Sequence, residues 1–381
     1  MSKNYEVAVI GLGGMGSATV WQLARRGTKV IGFEQFDPVH ARGSSHGQTR
    51  VIRQAYFEHP AYVPLLLRAY ELWRETERES GRQLLTLCGG LMMGSEKSEV
   101  VSGSIRSARQ HGLGHEVLDA GEIRYRWPQF CVPKDHIALF EKEAGVVRAE
   151  LSVQTHLELA ESHGADLLFN QAELRWECKD SGGFRIFTKG QSFEAGRLIL
   201  TPGPWASRML PDIGVEFRVE RQVLFWFQPT SGVRHFLPGR FPIYIWENAA
   251  GLQPYGFPSL DGPRGGVKIA FFRIPDADRC DPDSVDRTHR RSDENLMRQV
   301  MREFLPSLEG PLLHSTVCLY TCTPDLHFRM GLHPRVPDLY FAAGFSGHGF
   351  KFCSVVGEIL ADLATKGTTR NDLSLFRTDI R

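Results

Sequence analysis

Residues 5–16, YEVAVIGLGGMG, run from a β-branched apolar stretch into four glycines, and SATVWQLARRG (17–27) follows with Ala18, Leu23 and Ala24 spaced for a packed helix ending at Gly27. The reading is strand, glycine turn, helix. A second apolar run, KVIGF (29–33), ends in Glu34, about 20 residues beyond the glycines, where a carboxylate can take the ribose hydroxyls of an adenine dinucleotide. An acid there disfavours a 2′-phosphate. Gly11 permits the tight turn, Gly13 and Gly14 let backbone approach a pyrophosphate, and Gly16 lets helix and strand pack closely. The helix N-terminus adds N–H donors and a positive dipole end. This pattern predicts a Rossmann-type dinucleotide site without separating NAD from FAD.

Just downstream, RGSSHGQTRVIR (42–53) carries His46, Arg50 and Arg53 at i, i+4 and i+7, a spacing that would line one face of a helix with cationic groups. Such a face is often merely solvated. Its position directly after a nucleotide motif makes it a candidate to meet cofactor and substrate.

Farther along, helices are expected at 62–80 and 151–163, with strands near 167–168 and 197–201, the last running into Pro202-Gly203-Pro204-Trp205. Between about 217 and 272 the chain becomes β-rich and aromatic (FRVERQVLFWFQP, RFPIYIWE, YGFP, GVKIAFFR), as for a separate sheet roofing a pocket. Residues 276–291 form a charged connector. Near the C-terminus LYFAA (339–343) precedes GFSGHGFKF (344–352) and a helix through Val355, Ile359, Leu360 and Leu363, giving a second strand, glycine turn and helix. There are no internal repeats.

The 381 residues, 42% hydrophobic and 23% charged, describe a globular chain, and the length exceeds what one core usually fills, so two domains are expected. With 45 Lys+Arg against 44 Asp+Glu no net field draws in nucleic acid or a membrane surface. The sequence shows no apolar run near the ~18 residues of a membrane span and no signal-peptide pattern at its start, so a cytoplasmic protein is expected. Seven scattered cysteines without CxxC indicate neither a disulfide framework nor a zinc site. Read alone, Cys318 is an ordinary core cysteine.

Taken together, GLGGMG with Glu34, GSSHGQTRVIR (43–53), YGFP (255–258), VKIAFF (267–272), VCLYTCTPD (317–325) and GFSGHGFKF (344–352) resemble, in order and over nearly the whole chain, the monomeric sarcosine oxidase family, which includes N-methyltryptophan and pipecolate oxidases. The resemblance implies a mixed α/β fold: a discontinuous Rossmann-type FAD domain of the D-amino-acid-oxidase type (1–80, 145–215 and 310–381) and an antiparallel or mixed-sheet substrate domain (81–144 and 216–309). It implies FAD joined as a thioether to Cys318. It also places Gly203, Ser45, Thr49, Gly344, Gly347, His348 and Gly349, with the first glycine turn, around the cofactor.

By the same resemblance Arg53 and Lys351 hold a substrate carboxylate, a task suited to a forked guanidinium and an ammonium. His46 and Arg50 lie near the flavin ring, and Lys268 activates dioxygen as a fixed cation where negative charge develops. Tyr255 and Tyr320 line the substrate pocket. The implied reaction takes a hydride from the C–H beside a neutral secondary amine to flavin N5, hydrolyses the imine and reduces O2 to H2O2, in a monomer whose partners are a small amino acid and O2. Phe272 replaces a histidine of sarcosine-type members, Gly331 replaces an acid, and Tyr244-Ile245-Trp246-Glu247 is unusually aromatic, as if the pocket wall were shaped for a larger amine. Two rival readings are a flavin dehydrogenase with another electron acceptor and an NAD-dependent dehydrogenase using only the N-terminal half. The least favoured is a non-catalytic binding protein.

Overall fold

A computed structural model describes residues 3–262 and 264–378. The opening motif folds as read: β1 (Lys3–Ile10), a glycine turn, α1 (Gly14–Ala24) and β2 (Val30–Phe33), with β1 and β2 parallel. Gln191–Leu200 lies parallel to β1 on its other side, and Leu339–Ala343 continues the parallel set beyond it. One face of these strands packs on the helices, through Val7, Val9, Ile199 and Ala342, and the other is covered by Phe184, Ile186, Phe193 and the 206–217 segment, which is why their central stretches read as apolar runs. Antiparallel strands 175–178, 184–188 and 329–332 and the parallel strand 166–168 complete eight.

A second eight-stranded sheet runs in the order 312–322, 218–227, 267–273, 253–256, 243–246, 90–95, 136–141, 116–119, antiparallel throughout except where 243–246 joins 90–95. This is the β-rich, aromatic sheet expected from 217–272, and it recruits strands from before and after that segment. The Leu312–Cys322 strand, inside the range 310–381 assigned by resemblance to the FAD domain, hydrogen-bonds along this second sheet. The 276–291 connector leads into a helix, Arg291–Phe304.

The basic segment is not a helix. Thr49–Ile52 forms β3, paired antiparallel with Gly145–Arg148, which also pairs with Leu85–Leu87. Two causes are visible. Gln48 has φ 67°, which an α-helix excludes, and the β-branched Thr49, Val51 and Ile52 find a ladder partner nearly a hundred residues away.

α1 packs between Cys353–Lys366 and Ala149–Ser162, while α2 (Val63–Ser80) lies across the same group. The close crossing with Cys353–Lys366 depends on Gly357, where a Cβ would stand 2.7 Å from the backbone of Ala18. Trp21 and Trp73 sandwich His156 with ring centroids 5.4 and 5.3 Å away, and burial drives that imidazole to about 3, so it is neutral. No described helix is long and apolar enough to cross a membrane.

Candidate active site

At the carboxyl ends of the parallel strands a cleft of about 390 Å³ opens between the two glycine turns. Gly11 has φ 90° and a Cβ there would lie 2.4 Å from the Thr201 carbonyl oxygen, so only glycine fits. At Gly16 a Cβ would strike the Gly11 carbonyl at 1.8 Å, while at Gly13 it would meet only Ser45 Oγ, at 3.4 Å, on the cleft side. Ser45 Oγ accepts a hydrogen bond from the Gly14 N–H (2.9 Å), and Glu34 Oε2 accepts one from Leu12 (2.9 Å). Both side chains line the cleft, as do Gly203, Gly344, Gly347, Gly349 and Arg50. Gly16 lies beneath it, in the contact between turn and helix.

Where the cleft meets the second sheet the charged groups gather. Cys318 is buried one residue before Leu319 of the cleft wall, and Arg50 Nη2 reaches its sulfur at 3.3 Å. Burial alone would raise this thiol, but Arg50, His46 and Lys268 outweigh it and hold it at about 7. His46 is buried, and its Nε2 has no hydrogen-bond partner among the described residues. Lys268 donates to the Gly47 carbonyl (2.6 Å) and to the Thr49 carbonyl and hydroxyl (2.8 and 3.2 Å), with the Trp226 and Phe257 rings against it. Burial, reinforced by Arg50, pushes its ammonium well below the ordinary lysine range. Thr49 therefore sits with Lys268 and does not line the cleft.

A second, smaller cavity shares Arg50, Tyr320, Gly347 and Phe350 with the cleft. Arg50, Arg53 and Lys351 line it together with Glu58, Tyr255, Phe272 and Ile245. Lys351 Nζ donates to the His348 carbonyl (2.8 Å) and the Tyr56 hydroxyl (3.4 Å); burial, and then Arg53, bring it down to about 7. His348 lines this cavity and not the cleft, held by Tyr56 at 2.6 Å and the Leu326 carbonyl at 3.0 Å, and burial lowers it well below 6.5.

Two expectations about the pocket wall change. In the 243–246 strand successive side chains alternate, so Ile245 faces the cavity while Tyr244 and Trp246 turn into the core against Phe130 and Phe304. Gly331 lies in the Arg329–Leu332 strand of the first sheet and lines neither cavity. The sequence reading also missed three carboxylates. Glu58 accepts from Arg53 Nη2 at 2.8 and 2.7 Å, leaving buried Arg53 Nε unpartnered among the described residues. Glu141 accepts from the N–H groups of Gln54 and Ala55, and Glu150 from those of Gly47 and Gln48. Only the position of Glu58, five residues after Arg53, offered a signal.

Glycine backbone facing the cleft at the N-terminus of α1 suits a pyrophosphate, Glu34 suits a ribose diol, and the cation-rich end abuts a cavity of amino-acid character. The class this defines is a dinucleotide-dependent oxidoreductase acting on a small anion-bearing molecule. Residues 6–363 match the FAD dependent oxidoreductase family. The chain is 52% identical over 377 residues to the monomeric sarcosine oxidase of Streptomyces avermitilis, covering 99% of this chain and 97% of that one. It is 35% identical over 373 residues to the N-methyl-L-tryptophan oxidase of Salmonella arizonae, covering 98% of each. Among solved structures, a point mutant of the nikkomycin-biosynthesis amino acid oxidase NikD superposes with a TM-score of 0.85 at 24% identity, covering 99% of this chain and 98% of that one. Glycine oxidase from Geobacillus kaustophilus gives 0.81 at 21%, covering all of both chains. The chain belongs to the FAD dependent oxidoreductase family. Its fold is that family's, its cofactor is FAD, and the NAD-dependent reading falls.

Proposed function

We propose that this enzyme oxidises a secondary amino acid, N-methylated or cyclic, at the C–H next to the amine, with dioxygen as the electron acceptor. The observation that carries the reading is the second cavity, which shares part of its lining with the dinucleotide cleft and brings Arg53 and Lys351, cations suited to a carboxylate, together with apolar Phe272 and Ile245. Its relatives, named as oxidases of sarcosine and N-methyl-L-tryptophan, give the same class of substrate. FAD held in the cleft would supply a two-electron hydride acceptor that dioxygen can reoxidise, and the imine left from the amine is hydrolysed by water.

The chain's own residues divide the remaining work. Glu34 and the glycine turns, with Ser45 and Gly203, hold the adenosine and pyrophosphate, and Gly344, Gly347 and Gly349 give the backbone a close approach. Lys351 and the free edge of Arg53 take the carboxylate, and Tyr255 and Tyr320, both raised by burial, stay as neutral hydroxyls beside the amine. Burying the amine next to these cations favours its neutral form, the form that can release hydride. Arg50, and Lys268 while protonated, supply positive charge at the ring, and the thiol of Cys318, held near 7 by its cationic neighbours, is the attachment point for a covalent flavin. The mixed first sheet with its helices serves as the FAD domain and the second sheet as the substrate domain, in a monomeric, cytoplasmic protein.

A panel of N-methyl and cyclic amino acids, assayed for peroxide, tests this reading. Peroxide formed in step with loss of the secondary amine is the expected result. Amine-dependent bleaching of the flavin that only a quinone or carrier protein reverses would replace it with the dehydrogenase reading.

A further inference from the structure

The His46–Thr49 turn is held from both sides. Its carbonyls at 47 and 49 accept from Lys268, and its N–H groups at 47 and 48 donate to Glu150, at 2.6 Å for Gly47 and at 3.0 and 2.8 Å for Gln48. The Gln48 carbonyl accepts from the Ala149 N–H (3.0 Å) and the Thr49 N–H folds back to Gly47 (2.8 Å). Every polar backbone atom from Gly47 to Thr49 is thereby used. The turn stores strain, because Gln48 is a non-glycine residue at φ 67°.

The Gly47–Gln48 peptide lies between the charges: its N–H points at the anion, its carbonyl at the cation, and the two are joined through it without touching. An acid in the first turn of the Ala149–Ser162 helix would ordinarily stabilise only that helix. Here its oxygens are spent on another segment, the one that carries His46 to Cys318 and supplies the cage of Lys268.

We propose that Glu150 is a positioning residue: by gripping the Gly47 and Gln48 N–H groups it fixes the turn that cages the Lys268 ammonium, and its charge sustains that ammonium across the turn. The proposal rests on the reading of Lys268 as the cation that speeds reaction with dioxygen. The charged or titratable groups facing Lys268 are Arg50, which disfavours its charge, Cys318 and Glu150, which favour it, and His314, whose own pKa the lysine lowers; Trp226 and Phe257 are neutral walls. Removing the negative charge at Glu150 therefore lets Lys268 lose its proton at lower pH.

The test uses Glu150→Gln holoenzyme in two half-reactions. Anaerobic reduction by amine is expected to stay within about twofold of the parent. The pH at which reoxidation by dioxygen declines is expected to fall by about one unit, or about tenfold in rate above the midpoint. The pH titration of the oxidised flavin's visible absorption, which needs no turnover, moves with it. Glu150→Asp, keeping the charge, returns both midpoints towards the parent. If Glu150→Gln does not fold, adding Gln48→Gly relieves the left-handed strain and permits the same measurement. Unmoved midpoints, or equal slowing of both half-reactions, overturn the proposal. If Lys268→Met leaves reoxidation fast, it is the reading of Lys268 that fails; slow reoxidation in Lys268→Met with an unmoved Glu150→Gln profile removes only the role of Glu150.

Discussion

Lys351 lines the smaller cavity with its pKa brought down to about 7 by burial and by Arg53, so in the absence of ligand a large share of it is neutral at pH 8. An arriving carboxylate favours the ammonium and raises that pKa. Binding of a carboxylate inhibitor between pH 7 and 9 should therefore take up a proton, and affinity should weaken as pH rises above about 7. Calorimetry in two buffers of different ionisation enthalpy measures the uptake, and Lys351→Met should abolish it and cost about 2–4 kcal/mol of affinity. Equal heats in both buffers would place the carboxylate elsewhere. Cys318 gives a second residue-scale prediction. Cys318→Ser should leave a yellow protein whose colour goes to the supernatant on acid precipitation, whereas the parent's stays in the pellet with an FAD-sized adduct on Cys318. Colour in the parent's supernatant counts against the thioether.

Elements explain what could be read from the sequence and what could not. The β1–turn–α1 unit was legible because its glycines answer local needs: Gly16 cannot carry a Cβ 1.8 Å from the Gly11 carbonyl, whatever the rest of the chain does. β3 was not, since helical spacing of His46, Arg50 and Arg53 is a local coincidence overruled by a ladder with Gly145–Arg148. The carboxylates bracketing that strand, Glu141 beyond its end and Glu150 before its start, were invisible for the same reason: their partners are backbone N–H groups about a hundred residues away. The two aromatics beside Ile245 were misplaced by reading a strand without its alternation. Where helices cross, the constraint is again steric. Gly357→Ala would push a methyl to 2.7 Å from Ala18 and force α1 away from Cys353–Lys366, at a cost of about 1–3 kcal/mol. Thermal unfolding of the holoenzyme should show a lower Tm, together with looser flavin retention, because α1 opens the cleft. An unchanged Tm would mean the crossing has slack.

At the scale of the whole molecule the two large sheets are joined across the cleft by the 276–291 connector. Buried Arg221 anchors it to the second sheet by donating to the carbonyls of Asp286 (2.9 Å) and Thr288 (2.5 Å). From there Arg287 donates to the carbonyls of Ala41 (3.2 Å) and Arg42 (2.7 Å), next to the Gly43–Ser45 wall of the cleft. In the adjoining 203–208 segment of the cleft lining Asp283 accepts from Trp205 Nε1 (2.8 Å) and pairs with Arg208, which also meets Asp281 at 2.6 Å. The connector thus clasps two adjoining segments of the cleft lining using exposed ion pairs and carbonyl contacts. Exposed pairs contribute little one at a time and are weakened by salt. Arg287→Ala or Arg208→Ala alone should therefore change flavin release only slightly, whereas the two combined should speed it by about tenfold. The measurement needs a flavin free to leave, so both changes are placed in Cys318→Ser, and release is followed as flavin fluorescence appears on dilution. High salt should speed release from Cys318→Ser alone and add little to the combined variant, since its charged contacts are already gone. Equal release rates in all of these proteins would show that the cleft walls are held by their own sheets and that the connector merely links them.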